Sequence, residues 1–372
     1  MKNIVRNIIV LGCVGSSAFA APFLAIGDNA ELFVTGTAGV RYDDNILLAP
    51  DNLAIDDTIV QFVPGLELEF GKNSEVKGTF TAQETLNAYL DNSQFNDQLG
   101  SVSFTSKFDN SKLKLNADAS FAQLDQNTYA ANGTTIRRDV TTAGVGGELS
   151  ISDKTSIGAG ANYTEVQYKQ AGAVSEKDYG VPLNVYYGIT PKVDLSAGIS
   201  YRRSDLDNGT SFDDYYYNIG ARGEFTPKLK GSFSVGYNQR NASVGQDDDG
   251  LGLQAGLSYL YSDKTFFTLN ASNDFSAATT GASQKNLAIT LGGQTDIAVD
   301  WKLNASATYR RVEYQTTPSR TDDYVEGTVG ATYVINSNFS LNGSYLFRGN
   351  KSDQAGAGFS DNVVSLSISA RY

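Results

Sequence analysis

The chain has 372 residues, a formal net charge of −12, one cysteine and no histidine. Without histidine, the commonest general base and the commonest metal ligand are missing, which argues against hydrolases of the Ser/His or Asp/His type. The acidic balance also excludes the basic footprint of a nucleic-acid-binding protein. We therefore expect no enzyme, no cofactor and no nucleic-acid partner.

The first twenty residues predict a cleaved signal peptide. Lys2 and Arg6 give a positive start, residues 8–14 form a short apolar core, and residues 18–20 (Ala-Phe-Ala) are a small-x-small cleavage site. Cleavage there would leave a mature chain that begins at Ala21. That chain would carry 27 basic and 41 acidic residues, a net charge of −14.

Cys13, the single cysteine, lies inside that signal, so the mature chain would have no disulfide and no cysteine ligand. An alternative treats residues 10–13 (Val-Leu-Gly-Cys) as a lipobox with a lipidated Cys13, although the apolar core before it would be very short. No other long apolar run follows, and a helix needs about 20 apolar residues to cross a bilayer. The sequence therefore excludes a membrane protein that spans with helices.

Short polar turns recur along the rest of the chain, and two alternating strands with a longer polar loop lie between successive turns. Pro, Asn, Asp and Ser favour such turns, because Pro fixes φ and the others hydrogen-bond their own backbone. From Lys228 the steps are 36 residues each, to Lys264, Asp300, Asn336 and Tyr372. The turns lie at residues 71–74, 109–112, 152–154, 190–192, 226–228, 262–264, 298–300 and 336–338.

Nine such hairpins give eighteen strands. Short turns at one end and longer loops at the other are typical of outer-membrane barrels, whose turns face the periplasm. We therefore predict an all-β fold: a transmembrane antiparallel up-and-down β-barrel of about 18 strands. The barrel would occupy residues 31–372, after the signal peptide (1–20) and a short periplasmic N-terminal segment (21–30). The longer loops are expected at residues 204–210, 242–250, 277–284 and 349–358.

The strands alternate between apolar and polar side chains. Each apolar face is about nine residues long and ends in an aromatic residue, as in the row that runs from Val193 to Tyr201. A tilted strand of about 9–11 residues crosses a bilayer, and aromatic residues collect where lipid meets water. A soluble sandwich is the alternative, but it would need apolar inner faces on both sheets. We expect Leu195, Leu303 and Leu341 to face lipid, and Ser196, Asn304 and Asn342 to face water.

The last strand, residues 365–372 (Ser-Leu-Ser-Ile-Ser-Ala-Arg-Tyr), resembles the signal by which the barrel-assembly machinery recognises its clients. Residues 42–46 (Tyr-Asp-Asp-Asn-Ile), 56–58 and 63–68 (Val-Pro-Gly-Leu-Glu-Leu) resemble the putative β-barrel porin type 2 group, which includes barrels encoded in exopolysaccharide operons. The resemblance implies an outer-membrane barrel of a Gram-negative bacterium, surrounded by lipid and lipopolysaccharide. It links the chain only loosely to periplasmic polysaccharide-export components and carries over no site residue.

Arginines are the candidate site residues. Strand parity points Arg202, Arg240, Arg310 and Arg348 into the lumen near the loops, together with Arg222 on a descending strand. Positive rings in pores select for anions, so we take these five as candidate pore-lining residues. The alternative is that aspartates at the start of the returning strands pair with them and only stabilise the sheet.

Carboxylate pairs beside the loops are the other candidates. Their oxygens suit Ca²⁺, or they are simply solvated. A glycosidase would need two carboxylates that face each other, whereas neighbours on a strand point to opposite faces. We therefore assign no catalytic or metal-binding residue. The acidic runs are Asp43/Asp44, Asp56/Asp57, Asp213/Asp214, Asp247 to Asp249 and Asp322/Asp323.

The leading functional hypothesis is an outer-membrane pore for passive or weakly selective passage of small hydrophilic solutes. A barrel of about sixteen to eighteen strands leaves an aqueous channel unless loops or a plug fill it. One alternative is an exit barrel for an exopolysaccharide, and another is a structural or adhesive surface barrel with a closed lumen. We identify no long constriction loop, which favours a monomer.

Overall fold

The computed structural model describes residues 21–126, 135–316 and 318–372. The predicted signal peptide, with Lys2, Arg6 and Cys13, lies outside the described residues. Within the described part, no helix is both long enough and apolar enough to span a membrane. The helical segments there are the 3-10 turns Asp51–Leu53 and Ser93–Phe95.

Eighteen long antiparallel strands close into one barrel, which confirms the predicted fold and strand number. Each strand pairs with its neighbours in sequence, and the last strand, β19, pairs with β2 to close the wall. A short extra strand, β1 (Leu24–Ile26), pairs with the first residues of β2. The barrel strands are β2 (Ala30–Asp43), β3 (Asp57–Phe70), β4 (Val76–Tyr89), β5 (Asp97–Asp109), β6 (Leu113–Gln126), β7 (Ile136–Ser150), β8 (Thr155–Tyr168), β9 (Glu176–Thr190), β10 (Val193–Leu206), β11 (Ser211–Glu224), β12 (Leu229–Ala242), β13 (Asp248–Ser262), β14 (Thr265–Ala277), β15 (Ser283–Asp296), β16 (Trp301–Tyr314), β17 (Arg320–Val334), β18 (Phe339–Ser352) and β19 (Phe359–Arg371).

The short turns lie where the sequence predicts them, and we call that end of the barrel the turn end and the opposite one the loop end. The strands run further toward the loop end than expected, because polar residues there still pair through their backbones, as Arg203 does with Asp213. The predicted loop bounds were therefore too wide. The loops span residues 207–210, 243–247, 278–282 and 353–358.

The outer surface of the wall is apolar, as the alternation predicts. Leu195, Leu303 and Leu341 point outward with 47%, 36% and 38% of their surface exposed. Their neighbours on the same strands point inward, and Asn342 is buried there. An apolar outer surface around a polar interior is the arrangement that a bilayer requires of a barrel.

Tyrosines form a belt on the outward face near the loop end. Each of five donates its hydroxyl to a polar side chain close by, and these bonds mark the level at which the apolar surface ends. We call this level the tyrosine belt. Trp301 and Tyr333, whose rings lie 5.1 Å apart, occupy the opposite border at the turn end. The five bonds are Tyr42 to Asp56 (3.1 Å), Tyr163 to Glu165 (2.9 Å), Tyr201 to Asp213 (2.6 Å), Tyr309 to Asp323 (2.6 Å) and Tyr345 to Asn362 (2.7 Å).

The two ends of the described chain meet beside β2. The amide of Tyr372 donates to the Val34 carbonyl at 2.9 Å, and the Val34 amide donates back at 2.6 Å. The Phe23 ring lies 6.4 Å from the Tyr372 ring. Strand β1 thus continues the edge of β2 where β19 stops, and the periplasmic position of residues 21–30 stays a prediction.

Candidate functional site

Hydroxyl side chains line much of the lumen. Ser and Thr on inward rows of neighbouring strands hydrogen-bond to each other across the ladder. Each hydroxyl keeps further donor or acceptor positions for water, so this interior is not a dry core. The pairs are Thr37–Ser369 (3.0 Å), Thr81–Ser103 (2.7 Å), Ser120–Thr142 (2.7 Å) and Thr290–Thr308 (2.9 Å).

Residues 44–56, which join β2 to β3, fold inward at the loop end. Leu48 is buried in one cluster with Tyr324 of β17 and Phe359 of β19. Tyr324 lies on the inward row, because its neighbour Val325 is exposed on the outward face. No long constriction loop was expected from the sequence. A constricting role stays a prediction, but the segment does fold into the mouth of the lumen. The apolar run of residues 46–49 within a polar segment was the sequence signal for it.

Hydrogen bonds fix this loop to the wall. The Asn45 side-chain amide donates to the carbonyls of Ala49 and Ser360, both at 2.8 Å, and its carbonyl oxygen accepts from the Ala49 amide. Asp51 accepts from the Ser360 amide at 3.0 Å and from its hydroxyl at 2.9 Å. Leu48 has a φ of +46°, a conformation that side chains other than glycine seldom adopt. Contacts on several sides therefore hold the loop in one place.

A second contact narrows the same mouth from the opposite side. The Val174 amide, between β8 and β9, donates to the Thr279 carbonyl, between β14 and β15, at 2.8 Å. Beneath this bond, Leu206, Phe212 and Ala277 form a buried apolar cluster with Val174 packed against it. Loops that are six strands apart in the wall thus meet over the lumen.

Arg202 on β10 forms ion pairs with two different strands. It bonds Asp214, its register partner on β11, at 2.5 Å, and Asp274 at 2.8 Å. Asp274 belongs to β14, four strands further round the wall. Arg202 also donates to the Phe275 carbonyl at 2.7 Å.

Arg240 on β12 is fully buried. Its guanidinium binds both carboxylate oxygens of Asp214, at 2.6 and 2.7 Å, and donates to the Ser276 carbonyl at 2.8 Å. The rings of Phe212 and Phe275 lie 4.4 and 5.0 Å from the guanidinium carbon. This arginine therefore has little contact with water.

The other candidate arginines have partners as well. Arg222 binds Glu148 of β7 at 2.6 and 2.7 Å and Asp194 at 3.0 Å, and its guanidinium lies over the Tyr186 ring. Arg348 pairs with its register partner Asp361 at 2.5 Å and lies 3.8 Å from Asp43. Arg310, on the inward row of β16, also has an interaction partner.

These contacts change what the arginines can do electrostatically. Four of the five, Arg202, Arg222, Arg240 and Arg348, contact six carboxylates between them, so each positive charge is compensated locally. This pairing is what the alternative for these residues anticipated, and their role in lining a conducting pore stays a prediction. Parity could indicate Asp214 and Asp361 but not the distant partners. The six are Asp43, Glu148, Asp194, Asp214, Asp274 and Asp361.

Across residues 21–126, 135–316 and 318–372, no group of three or more acidic side chains is placed to hold a metal ion. Asp57, one of the paired carboxylates, instead accepts hydrogen bonds from the amides of Leu90, Asp91 and Asn92, at 3.0, 3.2 and 2.8 Å. Its role is therefore to order the loop between β4 and β5. Asp51 and Asp57 together show that acidic residues near this mouth support loops.

Two family models match the chain. The model described as Surface lipoprotein assembly modifier matches residues 48–244, just over half of the chain. The model described as Putative beta-barrel porin 2 matches residues 206–372. The second match confirms the predicted resemblance to that group, although it lies outside residues 42–68, where the motifs that carry the resemblance occur. A comparison with curated proteins found no match.

Solved outer-membrane proteins resemble the chain at low identity. The outer membrane protein OpdK from Pseudomonas aeruginosa is 11% identical over 92% of this chain and 99% of its own, with a TM-score of 0.47. OccAB4 from Acinetobacter baumannii is 10% identical over 92% and 98%, with a TM-score of 0.49. A bacterial polysaccharide outer membrane secretin is 10% identical over 94% and 100%, with a TM-score of 0.39.

Proposed function

We propose that this chain, which belongs to the surface lipoprotein assembly modifier family and lies in the outer membrane of a Gram-negative bacterium, is a water-filled pore for small hydrophilic solutes. The polar interior of the eighteen-stranded barrel carries this proposal. Barrels of about this strand number enclose an aqueous channel unless something fills it. The channel would work by passive passage without chemistry on the solute.

The loop end would set what passes. Residues 44–56 occupy part of the mouth from one side, and the contact between Val174 and Thr279 covers part of it from the other. We infer a size limit at this level and a wider path below it. Because six carboxylates compensate four of the arginines, we expect a weak preference for cations instead of the anion preference that bare arginines would give.

Planar-bilayer recording tests the pore. The wild-type protein should give discrete conductance steps, with a reversal potential in a salt gradient that indicates weak cation preference. Replacement of residues 46–55 by a short Gly-Ser linker should raise the step size several-fold, because it removes Leu48 and its neighbours from the lumen. The flanking strands would remain paired, as β2 and β3 share a continuous ladder up to Asp43 and Asp57.

A matched control for that variant shortens the loop at residues 353–358, beside β19, by two residues. Shortening this loop should change the conductance little, because the loop is bound to its own hairpin. The carbonyl of the buried Ala357 accepts a hydrogen bond from the Asn350 side chain at 2.9 Å. An absence of conductance in both the wild type and the 46–55 variant, in folded protein, would overturn the pore. Equal conductance in the two would reject the loop as the constriction.

Assembly of surface lipoproteins is a second candidate, and the family match over residues 48–244 favours it. In this role the barrel would act on a lipoprotein partner in the same membrane. Cells with and without the chain can be compared by protease treatment of intact cells, followed by mass spectrometry of the released peptides. A lipoprotein released only when the chain is present would support this role. An unchanged set, at equal lipoprotein expression, would reject it.

A further inference from the structure

The wall between β13 and β14 is interrupted at the loop end. Their ladder begins only at Leu253 and Asn273 and runs from there to the turn end. Above it, residues 248–251 of β13 still pair with β12, as Arg240 does with Asp248. Strand β14 bends inward and comes into contact with β12, so that Phe275 and Ala277 pack against inward-facing side chains such as Phe212. We call this interruption the β13–β14 seam.

Side chains satisfy the backbone carbonyls along the seam. In a membrane, an unpaired backbone group costs several kcal/mol, so an unplanned gap in a barrel wall is strongly disfavoured. Here side-chain donors replace the missing ladder on both sides. The sequence therefore stabilises the interruption with specific side chains. The bonds are Asn273 to Leu251 O (2.7 Å), Lys285 to Asp249 O (2.7 Å), Asn238 to Asn273 O (3.1 Å), Arg202 to Phe275 O (2.7 Å) and Arg240 to Ser276 O (2.8 Å).

A cavity of about 150 Å³ occupies the seam. On the lumen side it is bordered by Asn238 and Asp274, and on the outward side by Leu251 and Lys285, with Phe275 between them. Its lining therefore combines residues from the inward and the outward rows of the wall. A second cavity of the same size adjoins it, shares Asn273 and Lys285, and adds Leu287, Arg311 and Glu313.

The seam lies at the level of the tyrosine belt. Leu251 is the register partner of Tyr237, an exposed outward tyrosine at the upper border of the apolar surface. The outward rim thus carries the apolar Leu251 and Leu287 beside the exposed ion pair of Arg311 and Glu313 (3.0 Å), and the inner rim is polar. Lys285 closes the gap with a bond to Asp248 at 2.7 Å, and both side chains are partly exposed.

We propose that the β13–β14 seam is a lateral opening that binds an amphiphile with an acyl chain and an anionic head group. The chain would lie outward over Leu251 and Leu287, and the head group would replace Asp248 on Lys285. The apolar Leu251 and Leu287 suit the acyl chain. The Lys285 ammonium and the Arg311 guanidinium, which pair with Asp248 and Glu313 in the closed seam, are the cations that would bind the head group. The proposal goes beyond the solute pore, since it concerns exchange between the lumen and the outer leaflet.

Tryptophan quenching by brominated lipid tests the opening. Trp301 is the only tryptophan of the chain, so Trp301→Phe gives a silent background. In that background Phe275→Trp reports on the seam, Leu195→Trp on the lipid-facing wall, and Phe212→Trp on a buried site beside an unbroken ladder. The vesicles contain phosphatidylcholine brominated near the head-group end of its acyl chains. Quenching at 275 should fall between the values at 195 and 212.

Removal of the closing bond should favour the open seam. Lys285→Ala should raise the open-to-closed ratio seen at residue 275 by about two- to fivefold, the range expected from loss of one partly exposed ion pair. Asp248→Cys with Lys285→Cys, joined by a short bifunctional thiol reagent, should reduce quenching at 275 to the level at 212. The site at 195 should respond to neither change.

The opening is overturned if residue 275 is quenched no more than residue 212 in both the wild-type and the Lys285→Ala backgrounds. Quenching of 275 by acrylamide but not by brominated lipid would also overturn it, because the cavity would then hold only water. If Phe275→Trp does not refold, Gly250→Cys with a small fluorophore replaces it. A Cβ there would meet only the Lys285 side chain, at 3.5 Å or more. Conductance steps in the same samples show separately whether the pore proposal holds.

Discussion

Val329→Arg is expected to lower the free energy of unfolding of the barrel by about 2–4 kcal/mol, the cost of an arginine on the lipid face near the bilayer midplane. Val329 points outward from β17 with 59% of its surface exposed. On the outward row of its strand it lies midway between Val325, toward the loop end, and Tyr333 at the turn end. An arginine there must carry its charge into hydrocarbon or distort the wall to reach water.

The matched control is Ser306→Arg. Ser306 follows Ala305, the register partner of Val329, and points inward from the neighbouring strand at the same level. We expect it to cost less than about 1 kcal/mol, because its charge would face the wet lumen. Urea unfolding in lipid vesicles, followed by Trp301 fluorescence, measures both variants. Equal destabilisation by the two would mean that the assignment of outward and inward faces is wrong.

The sequence predicts the wall well because two strong constraints act on it. Side chains on a strand alternate, so a row such as Val193 to Tyr201 must face one way throughout. In lipid, every backbone group must also pair with a neighbouring strand, which leaves closure as the only arrangement for many alternating strands. These constraints repeat with each hairpin, so errors in single residues do not change the fold.

The loop end is harder to predict because its contacts are distant in sequence and follow no period. Leu48 folds inward because Tyr324 and Phe359 provide an apolar surface there, and nothing near residue 48 encodes those partners. Strand parity correctly predicted that the arginines point inward, and it could indicate Asp214 beside Arg202. It could not indicate Asp274, which reaches Arg202 only because β14 leaves the ladder with β13.

The same bend explains why charged residues are buried in this barrel. Strand β14 brings Phe275 and two backbone carbonyls against β10 and β12, and those carbonyls need donors. Arg202 and Arg240 supply them, and Asp214 compensates both charges. These arginines therefore help to hold β14 in its inward position, and this structural role does not depend on which solute passes through the lumen.

Arg240→Ala is accordingly expected to destabilise the barrel by about 3–5 kcal/mol, the cost of breaking a buried ion pair from one side. Arg240 is fully buried between Phe212 and Phe275, and its loss would leave the Ser276 carbonyl without its donor. Arg203→Ala is the control. Arg203 points outward from the adjacent position to Arg202, and its pairs with Asp205 and Asp213 are exposed.

Exposed pairs of this kind contribute about 0.2–1 kcal/mol, so Arg203→Ala should have little effect on the unfolding midpoint. Urea unfolding in vesicles measures the two variants under the same conditions. If Arg240→Ala lowers the free energy of unfolding as little as Arg203→Ala does, the Arg240 guanidinium does not hold β14 in place. The inward bend must then depend on the apolar contacts of Phe275 and Ala277 alone. Arg240→Ala could instead cause a large loss of stability together with stronger lipid quenching at residue 275. That result would show that the buried arginine also keeps the lateral opening closed.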